Sequence, residues 1–193
     1  TDRDMILQPD PDTMCMVPWW DQEPTAQVIH DAYTPDGELH PLAVRSVLKR
    51  ILAEYEKLGI KPVIAPEVEF YLVMKETDPN HELKPPIGRS GRPETARQSY
   101  SIDAVNEFDP VFELMYDYCE AQGIDVDALI HETGTAQMEI NFMHGDALKA
   151  ADHVFMFKRI MREAAMRHNI YATFMAKPMR LEPGSALHVH QSM

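Results

Sequence analysis

The sequence predicts an α+β chain, because segments with strand-type and helix-type hydrophobic patterns both occur along its 193 residues. The clearest strand pattern covers residues 63–73, where apolar residues alternate with Glu67 and Glu69. The clearest helix pattern covers residues 41–58, where apolar residues recur every three or four positions and Gly59 follows. The two periodicities, 2 and 3.6, indicate a sheet that carries helices.

The composition is that of a globular protein with an acidic surface. It is 45% hydrophobic and 25% charged, with a net charge of −13. This charge disfavours nucleic acids and anionic membranes as partners. No apolar run approaches the roughly 20 residues that span a bilayer. Cys15 and Cys119 have no metal-type spacing, so we expect a reduced, cytoplasmic setting.

The first half of the chain is predicted to contain one long helix and one long strand. Residues 1–40 are rich in Pro and Asp and are expected to form short strands and turns. The helix over 41–58 and the strand over 63–73 follow. Residues 75–104 contain several prolines, including Pro79, and are predicted to be a long loop, a type of segment that is often functional or mobile.

The second half is predicted to add two helices and four strands. Asp109 is the expected cap of a helix that starts at Pro110 and ends at Gly123, and Asp146 caps a helix of about 20 residues. The strand patterns cover residues 128–132, 136–142, 171–177 and 186–191.

Side chains that can bind metal ions, glutamate and histidine, share faces of these strands. Because side chains alternate along a strand, Glu67 and Glu69 point the same way, roughly 7 Å apart, and so do His188 and His190. Glu132 and Glu139 add further carboxylates, although their seven-residue separation predicts no common face. Carboxylates with one imidazole suit Mg²⁺ or Mn²⁺ better than zinc. Four glutamates suffice for two such ions, a pairing used in phosphoryl transfer.

Each of these features also has an ordinary structural interpretation. A Glu-Val-Glu run is most often a solvated strand face, and a His-Val-His run is often structural. Exposed glutamates alone would also explain the negative charge. The functional interpretation is favoured because the pattern recurs in several strands.

Three segments resemble the glutamine synthetase family, in the order that the family has them. Residues 66–70 (PEVEF) resemble its metal-binding strand, and residues 131–140 (HETGTAQMEI) resemble its second acidic segment. Residues 172–178 and 184–192 are similar to its ATP-binding stretch. The form of this last stretch and the Asp-Pro-Asp and Pro-Trp runs near the start are most similar to the branch that joins glutamate to amines, the γ-glutamylputrescine synthetases.

The resemblance implies two metal ions, Mg²⁺ or Mn²⁺. Glu69, Glu132 and Glu139 would hold the ion nearer the substrate glutamate. Glu67 and His188 would hold the ion that bridges the phosphates of ATP.

The resemblance also implies roles in substrate binding and catalysis. His190 and Ser192 would contact the nucleotide, and Gly184 would lie against the bound glutamate. Glu132 is implied in glutamate binding and in catalysis as well as in metal binding. Tyr100 is matched to a tyrosine of the ammonium pocket and is a second candidate catalytic residue.

The implied reaction has two steps. ATP phosphorylates the γ-carboxylate of glutamate, and an amine or ammonia then displaces phosphate to form an amide. The implied fold is a curved antiparallel sheet with an acidic inner face and flanking helices over residues 36–193, the first part of a catalytic domain. Residues 1–35 would be the end of a β-grasp domain. The resemblance further implies a homo-oligomeric ring.

Several alternatives stay open. Pro183 stands where glutamine synthetases usually carry an asparagine, which disfavours strict use of ammonia without excluding it. A catalytically silent homologue would act as a binding or structural module. A zinc or other metal hydrolase is disfavoured because the sequence has no His-rich triad. Family members are more than twice as long, so the chain is expected to be a piece of a longer protein and inactive alone.

Overall fold

The structure, a computed structural model, describes residues 4–20, 22–76, 78 and 80–193. Residues 1–3 of the predicted N-terminal unit and Pro79 of the predicted loop lie outside the described residues. The α-helices of the described part are α1 (Val44–Lys57), α2 (Ile102–Asn106), α3 (Asp109–Ala121) and α4 (Ala147–Arg167). The strands of the described part are β1 (Ile6–Pro9), β2 (Cys15–Met16), β3 (Ala26–Gln27), β4 (His30–Tyr33), β5 (Val63–Met74), β6 (Val126–His131), β7 (Gln137–Phe142), β8 (Gly145–Asp146), β9 (Ile170–Thr173) and β10 (Leu187–Ser192).

One antiparallel sheet organises the fold. Its strand order is β10-β5-β7-β6, and β8 and β9 pair with opposite ends of the long strand β5. Two small antiparallel ribbons, β1 with β4 and β2 with β3, lie in the N-terminal segment. The predicted α+β class with an antiparallel sheet is therefore confirmed. The assignment of residues 1–35 to a β-grasp domain stays a prediction.

The apolar face of the sheet packs against two helices. Val68, Phe70 and Leu72 of β5 are at most 2% exposed, because the alternation of the strand turns them away from the glutamates. Helix α4 covers this face with Phe157, whose ring lies 6.0 Å from that of Phe70. Helices α3 and α4 pack against each other and complete the core.

The helix ends follow the capping rules, with two corrections to the predicted boundaries. Asp146 caps α4 as expected, accepting from the backbone N–H groups of residues 148 and 149 at 3.1 Å. Asp109 is the first residue of α3 and not its cap, which is Phe108. Helix α2 begins inside the predicted loop 75–104, where Ser101 caps it by accepting from Ala104 N at 3.3 Å.

Helix α1 is amphipathic, but its predicted inward stripe is only partly covered. Val44 is 87% exposed and Ile51 is 51% exposed. The helix is held instead by polar contacts, because the Arg45 guanidinium lies 2.7 Å from both Asp10 and Asp31. It also lies 2.9 Å from Asp152 on α4. One cation thus joins α1, α4 and the N-terminal ribbon.

Within the described ranges, no helix has both the length and the apolar character that a bilayer crossing requires.

Candidate active site

The polar face of the sheet brings together acidic residues from neighbouring strands. His188 of β10 lies opposite Glu67 of β5 in the sheet register. Glu69 of β5 lies opposite Glu139 of β7. Because these pairs are adjacent along β5, four ligand-type side chains crowd one patch of the sheet.

Three of these side chains converge closely enough to hold a cation. Glu67, Glu139 and His188 each offer a ligand atom, and these atoms lie within 4.8 Å of one another. His188 Nδ1 is 3.4 Å from Glu67 Oε2 and 4.0 Å from Glu139 Oε2. Two carboxylates and one imidazole form a donor set that suits Mg²⁺ or Mn²⁺. The residues present therefore fit a divalent ion.

Like charges crowd this patch. Burial and the nearby charges of Glu67, Glu132 and Glu69 raise the pKa of Glu139 to about 7, and His188 opposes the shift. A buried carboxyl among like charges resists ionisation, and a bound cation would remove that resistance.

Glu69 is held by hydrogen bonds from its surroundings. Its Oε2 accepts from Gln137 Nε2 at 2.8 Å and from Ala186 N at 3.0 Å. The same Gln137 Nε2 donates to the carbonyl of Gly184 at 3.1 Å. The sequence analysis assigned no role to Gln137. Strand alternation places Gln137 on the same face as Glu139, and this was the signal that could have identified it.

Glu132 lies beside the cluster and outside its closest group. It follows the end of β6 and is half-buried, and its Oε2 accepts from Thr133 N at 3.2 Å. Its charge is nevertheless close enough to raise the pKa of Glu139. The fold thus brings Glu132 near the other glutamates across a turn, which the spacing alone did not predict.

The residues that the resemblance assigned to the nucleotide share one face of β10. His190 Nε2 lies 2.8 Å from Glu67 Oε1, so this imidazole contacts the acidic patch directly. Ser192 is two residues further along the strand and exposed, which puts it on the same face as His188 and His190.

Gly184 and Pro183 lie in the segment that leads into β10. A Cβ at Gly184 would come within 2.8 Å of the carbonyl oxygen of Ala176, so this close passage of two backbones requires glycine. Tyr71 Oη donates to the Pro183 carbonyl at 2.7 Å. The segment is therefore fastened from the centre of the sheet.

Tyr100 is placed by its backbone. It adopts a left-handed conformation, with φ of 62°, and its N–H donates to the carbonyl of His131 at 2.9 Å. Its side chain is 75% exposed. The structure thus ties the segment of Tyr100 to the strand end that precedes Glu132.

Comparison with known proteins identifies the family. The sequence model described as "Glutamine synthetase, catalytic domain" matches residues 41–193. Glutamine synthetase of Pyrococcus horikoshii is 36% identical over 192 residues, which cover 100% of this chain and 40% of that protein. Gamma-glutamylputrescine synthetase PuuA of Escherichia coli is 36% identical over 176 residues, covering 90% of this chain and 37% of that protein.

Solved structures agree in fold. Apo GmaS without ligand superposes with a TM-score of 0.82 and 27% identity, covering 98% of this chain and 42% of that one. A GmaS/ADP complex superposes with a TM-score of 0.81 and 28% identity, covering 99% and 42%. The chain spans about 40% of the length of the curated relatives it matches.

Proposed function

The chain belongs to the glutamine synthetase family, and on that premise we propose that it carries part of the active site of an ATP-dependent ligase that joins the γ-carboxylate of glutamate to an amine. The observation that carries this proposal is the cluster of Glu67, Glu139 and His188 on adjacent strands. A cluster of this composition suits the divalent ions that accompany ATP.

The proposed roles follow the strands. Glu67 and His188 would hold the ion that accompanies ATP, and Glu69, Glu132 and Glu139 would hold the ion near glutamate. Because the ligand atom of Glu139 also lies within 4.8 Å of those of Glu67 and His188, Glu139 stands next to both proposed ion sites. Such ions, when bound, neutralise negative charge on the phosphates and the carboxylate. His190 and Ser192, on the same face of β10, would contact the nucleotide.

The proposed reaction has two steps. A γ-carboxylate oxygen of glutamate takes the γ-phosphoryl group of ATP, and ADP leaves. The amine nitrogen then bonds to the activated carbonyl carbon, phosphate leaves, and the amine loses a proton. Gly184 would lie against the glutamate, since its segment is fastened beside Glu69 through Gln137. Glu132 and Tyr100 would face the reacting groups.

The acceptor distinguishes two candidate functions. Pro183, in place of the usual asparagine, favours a γ-glutamylputrescine synthetase-like enzyme that accepts an amine. Glutamine synthesis from ammonia is the second candidate, because a relative named glutamine synthetase is as similar as PuuA, at 36% identity for each.

The proposal extends to the setting of the complete protein. We expect a cytoplasmic, homo-oligomeric ring whose neighbouring subunits complete the sites. We also expect residues 1–193 alone to be inactive. Turnover by this chain by itself would contradict that expectation.

The deciding experiment is phosphate release from ATP by the complete gene product with glutamate and Mg²⁺, comparing ammonia with putrescine and other amines. Phosphate release only with an amine supports the glutamate–amine ligase. Equal or better phosphate release with ammonia supports glutamine synthesis. Glu69→Gln should abolish release, whereas the exposed Glu56→Gln of α1 is the matched control and should retain it. No release with any acceptor would favour a silent homologue.

A further inference from the structure

We propose that Glu94 is a positioning residue that fixes the turn carrying Glu132. Residues 132–136 form this turn, which connects β6 to β7. The inference rests on the proposed function, because only there is Glu132 a metal ligand. Sequence patterns gave Glu94 no role, since it lies in the long proline-rich segment before α2.

One carboxylate oxygen of Glu94 holds both ends of the turn. Glu94 Oε2 lies 2.9 Å from His131 Nε2, at the end of β6. The same oxygen accepts from Ala136 N at 2.7 Å, directly before β7. Removing this carboxylate would release both strand ends at once.

His131 transmits this hold to Glu132. The imidazole is 0% exposed, and its Nδ1 lies 2.7 Å from the backbone carbonyl oxygen of Glu132. The ring therefore lies between the carboxylate of Glu94 on one side and the backbone of Glu132 on the other. The imidazole is thus clamped from two sides and fixes the peptide that follows Glu132.

Ala136 shows why the turn needs such a hold. It is fully buried and has φ of 54°, a left-handed conformation that a non-glycine residue adopts at a cost. Its carbonyl accepts from Leu72 N at 3.0 Å, while its N–H donates to Glu94. The peptide groups on both sides of this strained residue are therefore satisfied.

Glu94 itself is buried at an unfavourable position. Its side chain is 7% exposed, and its Oε1 is buried without a hydrogen-bond partner in the described part of the chain. An unsatisfied buried carboxylate oxygen is costly. If Glu94 served only to stabilise the fold, a buried oxygen without a partner would not be required. Holding Glu132 in a fixed position gives a reason to keep the carboxylate of Glu94 at this buried site.

The clamp also reaches Tyr100. The carbonyl of His131 accepts from Tyr100 N, so the segment that begins at Glu94 returns to the same strand end. Glu94 is therefore linked through His131 to the backbones of two candidate site residues, Glu132 and Tyr100.

The test measures Mn²⁺ binding to the complete gene product by calorimetry, alongside its melting temperature. Glu94→Ala should weaken Mn²⁺ binding about 10- to 100-fold in folded protein, the range seen when the support of a metal ligand is removed. Glu94→Gln should lose less, because its amide still satisfies part of the clamp. If Glu94→Ala does not fold, Glu94→Gln decides.

Glu107→Gln is the matched control. Glu107 Oε2 accepts from Ser90 N at 3.0 Å, so it fastens the same proline-rich segment at a different point of that segment. Mn²⁺ binding should be unchanged in this variant. Weakening as large as that of the Glu94 variant would overturn the inference, since any loosening of the segment would then suffice.

Glu132→Gln separates this inference from the proposed function. Weaker Mn²⁺ binding in Glu132→Gln, with wild-type binding in folded Glu94 variants, would overturn the positioning role alone. Unchanged binding in Glu132→Gln would overturn the assignment of Glu132 as a ligand, and the inference with it.

Discussion

Gln137 Nε2 donates to Glu69 Oε2 at 2.8 Å, so a neutral amide supports a carboxylate on the acidic face of the sheet. Gln137 is 1% exposed, and its Oε1 accepts from Gly134 N at 2.8 Å. One side chain thus joins the turn after β6 to the centre of β5, and it orients Glu69 before any ion is bound.

Gln137→Met should destabilise the protein by about 2–3 kcal/mol. The variant keeps the side-chain volume but leaves the buried Gly134 N–H without its partner and removes one of the two hydrogen bonds to Glu69 Oε2. Urea denaturation measures the change in the free energy of unfolding. Gln98→Met, at an exposed glutamine, is the control and should change stability little. Equal stability of the two variants would contradict the support role of Gln137.

Metal binding should strengthen as the pH rises towards 7. Burial, together with Glu67, Glu132 and Glu69, raises the pKa of Glu139 to about 7, and a protonated carboxyl does not bind a cation well. Below that pH, binding must release a proton, so Mn²⁺ affinity should fall up to about tenfold per pH unit. Calorimetry between pH 5.5 and 8 measures this, and Glu139→Gln should weaken binding and flatten the dependence.

The same pKa predicts the pH dependence of stability in the metal-free protein. Because the folded-state pKa of Glu139 lies above its ordinary value of 4.5, the folded state holds more protons between these values. The contribution of this group to stability therefore declines as the pH rises from about 4.5 to 7. Saturating Mn²⁺ should remove the decline, as thermal unfolding with and without the ion would show. A decline of equal size in Glu139→Gln would contradict the assignment.

Arg45→Met should destabilise the protein by about 3–5 kcal/mol. It would leave Asp10, Asp31 and Asp152, which all face the guanidinium, with too little compensating charge. Arg50→Met is the control on the same helix, since Arg50 makes an exposed bond to the Pro41 carbonyl. Urea denaturation at pH 7 compares the two variants, and similar small losses would contradict the prediction.

The Arg45 cluster also predicts acid sensitivity. The hydrogen bond from Arg45 lowers the pKa of Asp10. At Asp31, burial by itself would raise the pKa. Hydrogen bonds from Lys49 and Arg45 outweigh burial, so the pKa of Asp31 is also lowered. These carboxylates stabilise the fold above their ordinary pKa, and this stability is lost as the pH falls through the folded-state values. The loss of stability below about pH 4 should therefore be smaller in Arg45→Met than in the wild-type protein. Circular dichroism recorded during an acid titration measures this difference.

Gly184→Ala should impair both folding and activity. The added methyl group would lie 2.8 Å from the Ala176 carbonyl, whose hydrogen bond from Ser185 N fixes the segment. We expect a loss of about 1–3 kcal/mol, as for other overpacked sites, with a larger fall in phosphate release. Gly145→Ala is the control, because a Cβ there meets no atom within 4 Å. Wild-type activity in Gly184→Ala would contradict the proposed contact with glutamate.

Local patterns predicted most of the regular structure. The alternation of residues 63–73 identified β5 within one residue of its end, and Asp146 identified the start of α4. The short helix α2 was missed, because prolines and glycines dominate the segment before it and its five residues carry little periodicity. The exposure of Val44 and Ile51 was also not predicted, since periodicity shows that a helix has an apolar face but not what covers it.

The sequence by itself determined the composition of the acidic face: which residues bear carboxylates and imidazoles, and that Glu67 and Glu69 share a side of one strand. Only the tertiary structure decided which of them meet, because strand register brings His188 beside Glu67 and Glu139 beside Glu69. It alone revealed the supporting contacts of Gln137 and Glu94, whose partners lie 68 and 37 residues away in the chain. Alternation is a local property of the backbone, whereas the supporting contacts of a site depend on packing between distant segments.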